Sequence, residues 1–375
     1  MSELTGSIGL VLGDRYRLET LIGRGGMGCV WRAEHLTLGT PVALKLLSPA
    51  LAAQPGVQAR FLKEARAAAR LRSANVVQVL DHGVHDGIPF IAMECLEGES
   101  LAARITREGA LSPAATARVL TGVCRALSYA HRLGVVHRDL KPDNIFIARD
   151  EAGPLVKVLD FGVAKVMESL LDPLAKPESG ATKTGEVLGT PRYMSPEQAR
   201  GKKTVDARAD LWSLGVIAFL CLTGEHPFDA PEFGVLVLKI CADPVPVPSS
   251  IREVPAGFDA FIARALERDP ADRFQTIGEL ADALADILTP GQRWLDPSGD
   301  GDLPSSRERP SIEVVPASAA PVSPAARVEP PPPAAPVIVP ATAPAPAPQR
   351  ARWPAVVALI ALAAGLLALL LRALR

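Results

Sequence analysis

The 375-residue sequence lacks the marks of several common protein classes. Its five cysteines have no short paired spacing such as C-x-x-C, so neither a disulfide framework nor a zinc site is indicated. Its 40 basic residues are spread along a chain of net charge -1, and no block of positive charge predicts nucleic acid as a partner. Residues 1–11 carry no basic, apolar export signal, so we expect the N-terminal part to stay in the cytosol.

Three regions of different composition are present instead. Hydrophobic residues make up 48% of the chain, enough for a large folded core, and helical periodicity continues to about Leu288. Residues 289–352 are rich in Pro, Ala, Ser and Val and are predicted to form a disordered Pro/Ala-rich linker. Residues 354–371 then form a run of 18 without a charged or polar side chain.

That apolar run has the length of a membrane helix. At about 1.5 Å per residue it would span about 27 Å, close to the roughly 30 Å of a bilayer core. Trp353 lies where an interfacial aromatic residue would, and arginines flank the run on both sides. We therefore predict a transmembrane helix over residues 353–372 and a short tail at 373–375. The alternative, a buried helix of a soluble domain, is disfavoured because the run is apolar on all faces.

The remaining region predicts two unequal parts. Residues 16–22, 29–35 and 41–47 are short apolar or alternating runs typical of strands, as are 76–81 and 88–93. Residues 57–72 have helical spacing, and helical patterns dominate from about Ser112 onward. We predict an α+β fold in which a small β-rich lobe precedes a larger helical one, with residues 1–15 as an N-terminal extension.

A glycine-rich segment and a lysine lie in the predicted strands. GRGGMGCV at residues 23–30 fits G-x-G-x-x-G-x-V, in which glycines let the backbone approach phosphate oxygens. A tight turn would also use glycines, and a dinucleotide fold has similar spacing but requires a helix next, where a strand is predicted here. Lys45, in the apolar run VALK, needs a counter-ion, and we expect Glu64 to supply it while Lys45 binds α- and β-phosphates.

Two further motifs carry the chemistry. HRDLKPDN at residues 137–144 fits H-R-D-L-x-x-x-N, which places Asp139 to orient and deprotonate an attacking hydroxyl and Asn144 to bind a second magnesium ion. DFG at residues 160–162 follows another apolar strand, and the Asp160 carboxylate is a hard oxygen ligand suited to Mg²⁺. Each motif alone has a simpler reading, but their order and spacing together make coincidence negligible.

The motif set resembles that of bacterial serine/threonine protein kinases of the eukaryotic-like type, over residues 16 to about 288. The resemblance implies a bilobal kinase fold and a non-specific serine/threonine protein kinase, a transferase that uses ATP with Mg²⁺ or Mn²⁺ and phosphorylates proteins. By resemblance the catalytic residues are Asp139, Lys45, Asn144 and Lys141, and the metal ligands are Asn144 and Asp160. The implied ATP-binding residues, with Met93 as gatekeeper and 94–96 as the adenine-binding hinge, are Ile22, Gly23, Gly25, Gly26, Met27, Gly28, Val30, Ala43, Lys45, Glu64, Met93, Glu94, Leu96 and Phe146.

The resemblance also assigns structural and regulatory residues. Glu197, in MSPE where the family has A-P-E, should form a buried ion pair with Arg273, and Asp210 should brace the catalytic loop by accepting backbone N–H bonds. Lys141 and Thr190 match the serine/threonine subclass. The residues expected to regulate activity are Arg138, Thr182 and Thr184.

The resemblance identifies residues 160–197 as the activation segment, and a phosphate there at Thr182 or Thr184 would neutralise Arg138 and order the segment. We expect this phosphate to come from autophosphorylation in trans, through a transient or stable homodimer. Two threonines in a polar loop without any such role are the alternative.

Two other functions are consistent with parts of the pattern. A membrane-tethered pseudokinase that serves as a binding scaffold would lack a catalytic residue, and none is missing here. A small-molecule phosphotransferase is disfavoured by the peptide-binding segment at 189–197. Because an active kinase needs cytosolic ATP, we expect the enzyme at the bacterial cytoplasmic (inner) membrane with its kinase domain in the cytoplasm.

Overall fold

A computed structural model describes residues 6–151, 153–161, 191–202 and 204–295. The small lobe contains a sheet whose strands follow the order β1-β2-β3-β4-β6-β5, with every neighbouring pair antiparallel. The strands are β1 (Val11–Leu12), β2 (Tyr16–Gly25), β3 (Gly28–His35), β4 (Thr40–Leu47), β5 (Val79–His85) and β6 (Ile88–Glu94). Strand β1 lies in the part predicted as an N-terminal extension and pairs with the start of β2.

The two faces of this sheet carry different sets of side chains. Val30 lies opposite Lys45, and Ala43 lies opposite Met93. Opposed residues share a face of the sheet, and so do alternate residues along a strand, so these four side chains lie on one face. The other face is closed by a buried cluster that includes Leu18, Trp31, Leu44, Leu46 and Phe90.

Two helices follow β4: α1 (Pro49–Ala52) and α2 (Val57–Ala68). Helix α2 packs Val57, Phe61 and Ala65 against Ile91 of β6. The sequence predicted this helix over 57–72, but it ends at Ala68 because the chain turns and places Leu71, which is fully buried, in the core of the large lobe. Helix α2 is therefore fixed to both lobes.

The large lobe has a small antiparallel sheet and a set of helices. The sheet contains β7 (Gly98–Ser100), β8 (Ile145–Asp150) and β9 (Gly153–Val158). Helix α6 is buried on all sides from Ala209 to Thr223, which makes it the centre of this lobe. The helices of the described part of the lobe are α3 (Leu101–Glu108), α4 (Pro113–Arg132), α5 (Pro196–Ala199), α6 (Arg208–Thr223), α7 (Phe233–Ala242), α8 (Phe258–Ala265) and α9 (Ile277–Leu288).

Packed structure continues beyond Leu288, where the sequence predicts the linker to begin. Trp294 is 3% exposed and belongs to the large-lobe core, and its indole Nε1 donates to Thr289 Oγ1 at 2.8 Å. Arg125 of α4 donates to Trp294 O at 3.2 Å. The folded part of the chain therefore includes at least residues 289–295.

Several predictions concern residues outside the described part of the chain. These are the remainder of the linker, the membrane helix at 353–372, and Gly162, Thr182, Thr184 and Thr190. Among the residues that are described, no helix is both long and apolar enough to cross a membrane.

Candidate active site

The catalytic loop brings three predicted residues together between α4 and β8. The Asp139 carboxylate oxygen Oδ2 accepts from Lys141 Nζ at 2.8 Å, and Asn144 Nδ2 donates to Asp139 O at 2.8 Å. Asn144 lies in a short 3-10 helix, Pro142–Asn144, and is buried. The Asp139 side chain keeps 42% of its surface exposed, so its carboxylate is held by neighbours yet open to an incoming group.

Asp210 holds the backbone of this loop, as the resemblance implied. Its fully buried carboxylate accepts from the backbone N–H groups of His137 and Arg138, each at 2.8 Å. A third contact comes from His131 Nε2 of α4 at 2.8 Å. Burial acts to raise the pKa of Asp210. The hydrogen bond from His131 and the charge of that residue outweigh burial, so the pKa of Asp210 is lowered from its ordinary value. Asp210 is a positioning residue.

Backbone strain marks both catalytic segments. Arg138 has φ +64 and Asp160 has φ +57, a conformation that non-glycine residues rarely adopt. Such residues persist only where the surroundings fix them, and they cluster at functional sites. For Arg138, these surroundings include Asp210 on its N–H and Gln198 Nε2, which donates to its carbonyl at 2.8 Å.

Lys45 lies on β4, and its Nζ forms an ion pair with Asp160 Oδ2 at 2.7 Å. The sequence predicted Glu64 as its partner; within the described residues the ion pair is made with Asp160 instead. Glu64 projects from α2 into a cavity that Met93, Asp160 and Phe161 also line. The sequence spacing alone did not indicate that Asp160 would lie within ion-pair distance of Lys45.

The charge of Asp160 is stabilised in place. Burial acts to raise its pKa, but the neighbouring charges of Lys45, His137 and Lys141 outweigh burial and lower the pKa below its ordinary value of 3.8. His137 also fixes this segment, since its Nε2 bonds Leu159 O at 2.8 Å and its ring lies 4.7 Å from that of Phe161. Asp160 is therefore an anion at neutral pH.

These donors suit a hard divalent cation. Because the Asn144 amide nitrogen is used on Asp139, its amide oxygen is the atom left for a metal, and Asp160 contributes carboxylate oxygen. Mg²⁺ prefers oxygen ligands and is commonly held by one or two protein groups together with substrate phosphates. The residues present fit this use.

The glycine-rich turn joins β2 to β3. A Cβ on Gly28 would lie 1.9 Å from Leu46 O, so this glycine permits close approach of β4. A Cβ on Gly23 or Gly25 would meet no described atom within 4 Å. Gly26 and Met27 form the turn itself, and Met27 O accepts from Ser48 N at 2.8 Å. The backbone of Gly23 and Gly25 thus borders open space in which phosphates would fit.

The predicted adenine-binding residues come from both lobes. Ile22, on β2, is 57% exposed, and Val30 and Ala43 lie on the sheet face that carries Lys45. Phe146 lies on β8 of the large lobe, and the hinge residues Glu94 and Leu96 connect the lobes. That these apolar side chains bind adenine stays a prediction from the resemblance, and flat rings are commonly held by apolar residues of this kind.

One contact across this hinge was missed in the sequence. The Glu94 carboxylate accepts from Lys157 Nζ of β9 at 2.7 Å and from the backbone N–H of Gln78 at 2.7 Å. We call these three residues the hinge clasp. The signal that singled out Lys45, a lone lysine in an apolar strand, is also present in LVKV at residues 155–158 and would have found Lys157.

The second structural ion pair is as the resemblance implied. Arg273 donates NH1 to Glu197 Oε1 at 2.9 Å and NH2 to Glu197 Oε2 at 2.8 Å, with both side chains buried. Burial acts to raise the pKa of Glu197, but the Arg273 hydrogen bonds and charge lower it below 4.5. This pair fixes helix α5, at the C-terminal end of the activation segment, to the large lobe.

Comparison with known proteins agrees with this geometry. The protein kinase domain family matches residues 16–284. The chain is 42% identical over 271 residues to the serine/threonine-protein kinase pkn3 of Myxococcus xanthus, covering 71% of this chain and 48% of that protein. It is 37% identical over 280 residues to the probable serine/threonine-protein kinase PknB of Corynebacterium glutamicum, covering 72% of this chain and 42% of that one.

A solved structure is similar as well. The crystal structure of the Mycobacterium tuberculosis PknI kinase domain aligns with a TM-score of 0.59 at 29% identity, covering 75% of this chain and 99% of that one. The chain spans less than half the length of the curated relatives it matches. The matched domain covers more than half of this chain, and its relatives are bacterial enzymes. The chain therefore belongs to the protein kinase domain family.

Proposed function

We propose that this chain transfers the γ-phosphate of Mg-ATP to serine or threonine hydroxyls of proteins. The observation that carries the proposal is the half-exposed Asp139 carboxylate, held between Lys141 and Asn144, in the same site as the Lys45–Asp160 pair. A nucleotide-binding scaffold without activity would have no need for this arrangement. The names of the relatives support the same function.

Asp139 orients the attacking hydroxyl and accepts its proton. The hydroxyl oxygen forms a bond to the γ-phosphorus while the bond from that phosphorus to the β,γ-bridging oxygen breaks, and ADP leaves with the bonding electrons. Lys141, at 2.8 Å from Asp139, holds the carboxylate and offers positive charge to the transferred group. The products are ADP and a phosphoprotein.

Lys45 and the glycine-rich turn hold the nucleotide in this proposal. Lys45 binds α- and β-phosphate oxygens, and the backbone N–H groups near Gly23 and Gly25 donate to the phosphates. Asn144 and Asp160 would hold Mg²⁺, which neutralises charge on the β- and γ-phosphates. Asp160 thereby has two roles, since its other partner is Lys45.

The test is phosphate incorporation from [γ-³²P]ATP into a generic protein such as myelin basic protein, followed by phosphoamino-acid analysis. The wild type should label serine and threonine, and chelation of divalent metal should abolish the label. Asp139→Asn should lower incorporation at least about 100-fold, within the range that general-base catalysis contributes. Undiminished labelling by Asp139→Asn, or no labelling by the folded wild type, would refute the proposal.

We further propose that autophosphorylation activates the enzyme. Arg138 lies next to Asp139 in the catalytic loop, where a phosphate on Thr182 or Thr184 would pair with it. The expected result is that the Thr182→Ala/Thr184→Ala variant loses most of its activity, and that a kinase-dead copy is phosphorylated by an active one in trans through a homodimer. Full activity of the double variant would exclude these threonines as the switch.

Membrane tethering is a separate proposal, supported by the apolar run at 354–371 and its flanking arginines. The enzyme would then lie at a bacterial cytoplasmic membrane with its kinase domain on the ATP-containing side. Full-length protein should remain in the pellet after carbonate extraction, and a chain lacking residues 350–375 should not. Extraction of both into the aqueous phase would contradict tethering.

A further inference from the structure

Helix α2 and the turn that ends it carry one strongly basic, exposed surface. Lys63 and Arg66 lie on α2, and Arg70 lies in the turn that ends it; all three are exposed. Their spacing of three and four residues places them on one side of the helix. Arg72 follows two residues later and is also exposed. We call these four residues the basic face.

The cations of the basic face differ from others in the same lobe. Arg15, Arg17 and Arg32 each form an ion pair with a carboxylate, at 2.8 to 3.2 Å. Among the described residues, no carboxylate lies within ion-pair distance of any member of the basic face. Arg15, Arg17 and Arg32 are thus neutralised within the protein, whereas the basic face keeps its positive field.

Exposed aliphatic side chains border this surface. Arg66 Nε donates to His82 Nε2 of β5 at 3.3 Å, which brings the edge strand next to the basic face. Leu80 and Val84, two residues on either side of His82, are 56% and 48% exposed. Basic residues beside exposed aliphatic ones are typical of surfaces that bind the interface of an anionic membrane.

We propose that the basic face, with Leu80 and Val84 at its border, docks on an anionic lipid bilayer. An ordinary solvent-exposed helix face would not require basic residues without acidic partners, and it would not require exposed aliphatic side chains beside them. An acidic protein would satisfy the charges, but the chain itself favours the bilayer because its apolar run at 354–371 is proposed to insert there. This part of the argument rests on the proposed tether.

The tether would keep the basic face close to the lipid. A chain of the length of residues 296–352 would have a root-mean-square span of about 40 Å as a random coil and would reach roughly 170 Å as an extended polyproline segment. The bilayer would then be present at a high effective concentration, so that weak contacts suffice. Each basic side chain is expected to favour the docked state by about fivefold at an anionic surface.

The test uses the full chain with nanodiscs of phosphatidylcholine alone or with about one third phosphatidylglycerol. After recovery of the discs, the rate at which an amine reagent labels Lys63 is measured by mass spectrometry. Lys202, an exposed lysine of the large lobe, serves as the internal reference. We expect labelling of Lys63 to fall at least fivefold in anionic discs relative to phosphatidylcholine discs, and to recover in high salt.

A pair of charge-matched variants separates the basic face from overall charge. Arg66→Gln/Arg70→Gln should weaken docking by roughly 25-fold and restore the labelling of Lys63. Arg17→Gln/Arg32→Gln removes the same charge from β2 and β3 and should leave the protection of Lys63 intact. Equal loss of protection in both variants would overturn the proposal, as would equal labelling of Lys63 in the two kinds of disc.

Failure of the tether is distinguishable from failure of docking. If the tether fails, the chain is not recovered with phosphatidylcholine discs; recovery with anionic discs alone, lost in Arg66→Gln/Arg70→Gln, would still support docking. Recovery with neither disc overturns both proposals. Protection of Lys63 by poly-glutamate but not by anionic discs would assign the surface to an acidic polypeptide and overturn the lipid proposal.

Discussion

Gly28 and Gly25 belong to one motif but meet different surroundings. At Gly28 a side chain would collide with the Leu46 carbonyl of the neighbouring strand, and the backbone has φ +151. At Gly25 the same addition would meet open space. The first glycine is needed for the sheet to form, and the second leaves backbone accessible to a nucleotide.

Replacing Gly28 by alanine should therefore change stability, whereas replacing Gly25 by alanine should change nucleotide binding. Gly28→Ala should lower the free energy of unfolding by about 1–3 kcal/mol, because the strand must shift or adopt a strained backbone. Gly25→Ala should leave the melting temperature almost unchanged and raise the KM for ATP. Thermal melts and steady-state kinetics check both; equal melting of the two variants would contradict the distinction.

The residues of the catalytic loop could be predicted because their chemistry follows from short fixed spacing. Asp139 and Asn144 lie five residues apart, and Asn144 Nδ2 donates to Asp139 O at 2.8 Å within this short loop. The partner of Lys45 could not be predicted in the same way, since Glu64 and Asp160 come from distant segments. Which carboxylate is closer depends on the packing of α2, a tertiary property that local spacing does not contain.

Among the secondary-structure elements, the hinge clasp joins the end of β6 to β9 of the large lobe. Lys157 and Glu94 are 12% and 29% exposed, so their ion pair is only partly screened by water. Lys157 lies opposite Phe146, one of the residues implied to contact adenine. If Phe146 contacts adenine as the resemblance implies, the clasp would position that side of the site.

Lys157→Met should raise the KM for ATP about fivefold while kcat changes little, because a partly buried ion pair contributes about 1 kcal/mol. Lys157→Arg should retain most of the wild-type affinity. Lys202→Met, at an exposed lysine of the large lobe, is the control and should have no effect. If the KM were the same in Lys157→Met and Lys202→Met, the clasp would have no positioning role.

The buried pair Glu197–Arg273 links α5 to the segment before α9. Glu197→Gln would leave the Arg273 cation buried without its counter-charge, so we expect a loss of about 3–5 kcal/mol in the free energy of unfolding. Glu279→Gln removes a carboxylate from an exposed pair with Arg264 and should cost less than about 1 kcal/mol. Denaturant melts distinguish the two, and similar losses would show that burial is not decisive.

The pH dependence of this pair has a definite sign. Because the pKa of Glu197 is lower in the folded protein than its ordinary value of 4.5, its stabilisation is complete above that pH and is lost as the pH falls through the folded pKa. The difference between wild type and Glu197→Gln should be constant from about pH 6 to 8 and should shrink below about pH 4.5. A difference that grew on acidification would contradict the assignment.

At the scale of the whole molecule, periodicity and motif order were sufficient to predict two lobes and their order along the chain. The start of β5 was less predictable: the sequence predicts a strand from Val76, but β5 begins at Val79. Val77 N instead donates to Val158 O at 3.0 Å, so this segment pairs with the large lobe. An apolar run is equally compatible with either partner, and tertiary packing decides between them.

The end of the folded domain gives a prediction at the same scale. A chain that stops at Leu288 loses Trp294, which should cost about 3–5 kcal/mol because a large buried side chain is removed. A chain that stops at Leu295 should match the full chain in the melting temperature of its kinase domain. Identical melting of both truncated chains would show that residues 289–295 contribute nothing to stability.

The most direct test of the account compares nucleotide affinity and phosphoryl transfer in one variant, Asp139→Asn. In the proposed mechanism Asp139 acts on the hydroxyl and Lys45 with Asp160 acts on the phosphates, so the two functions should separate. The account predicts at least an about 100-fold slower transfer to protein with the Kd for Mg-ATP changed by less than about threefold. Transfer at the wild-type rate, or loss of nucleotide affinity in parallel with transfer, would contradict it.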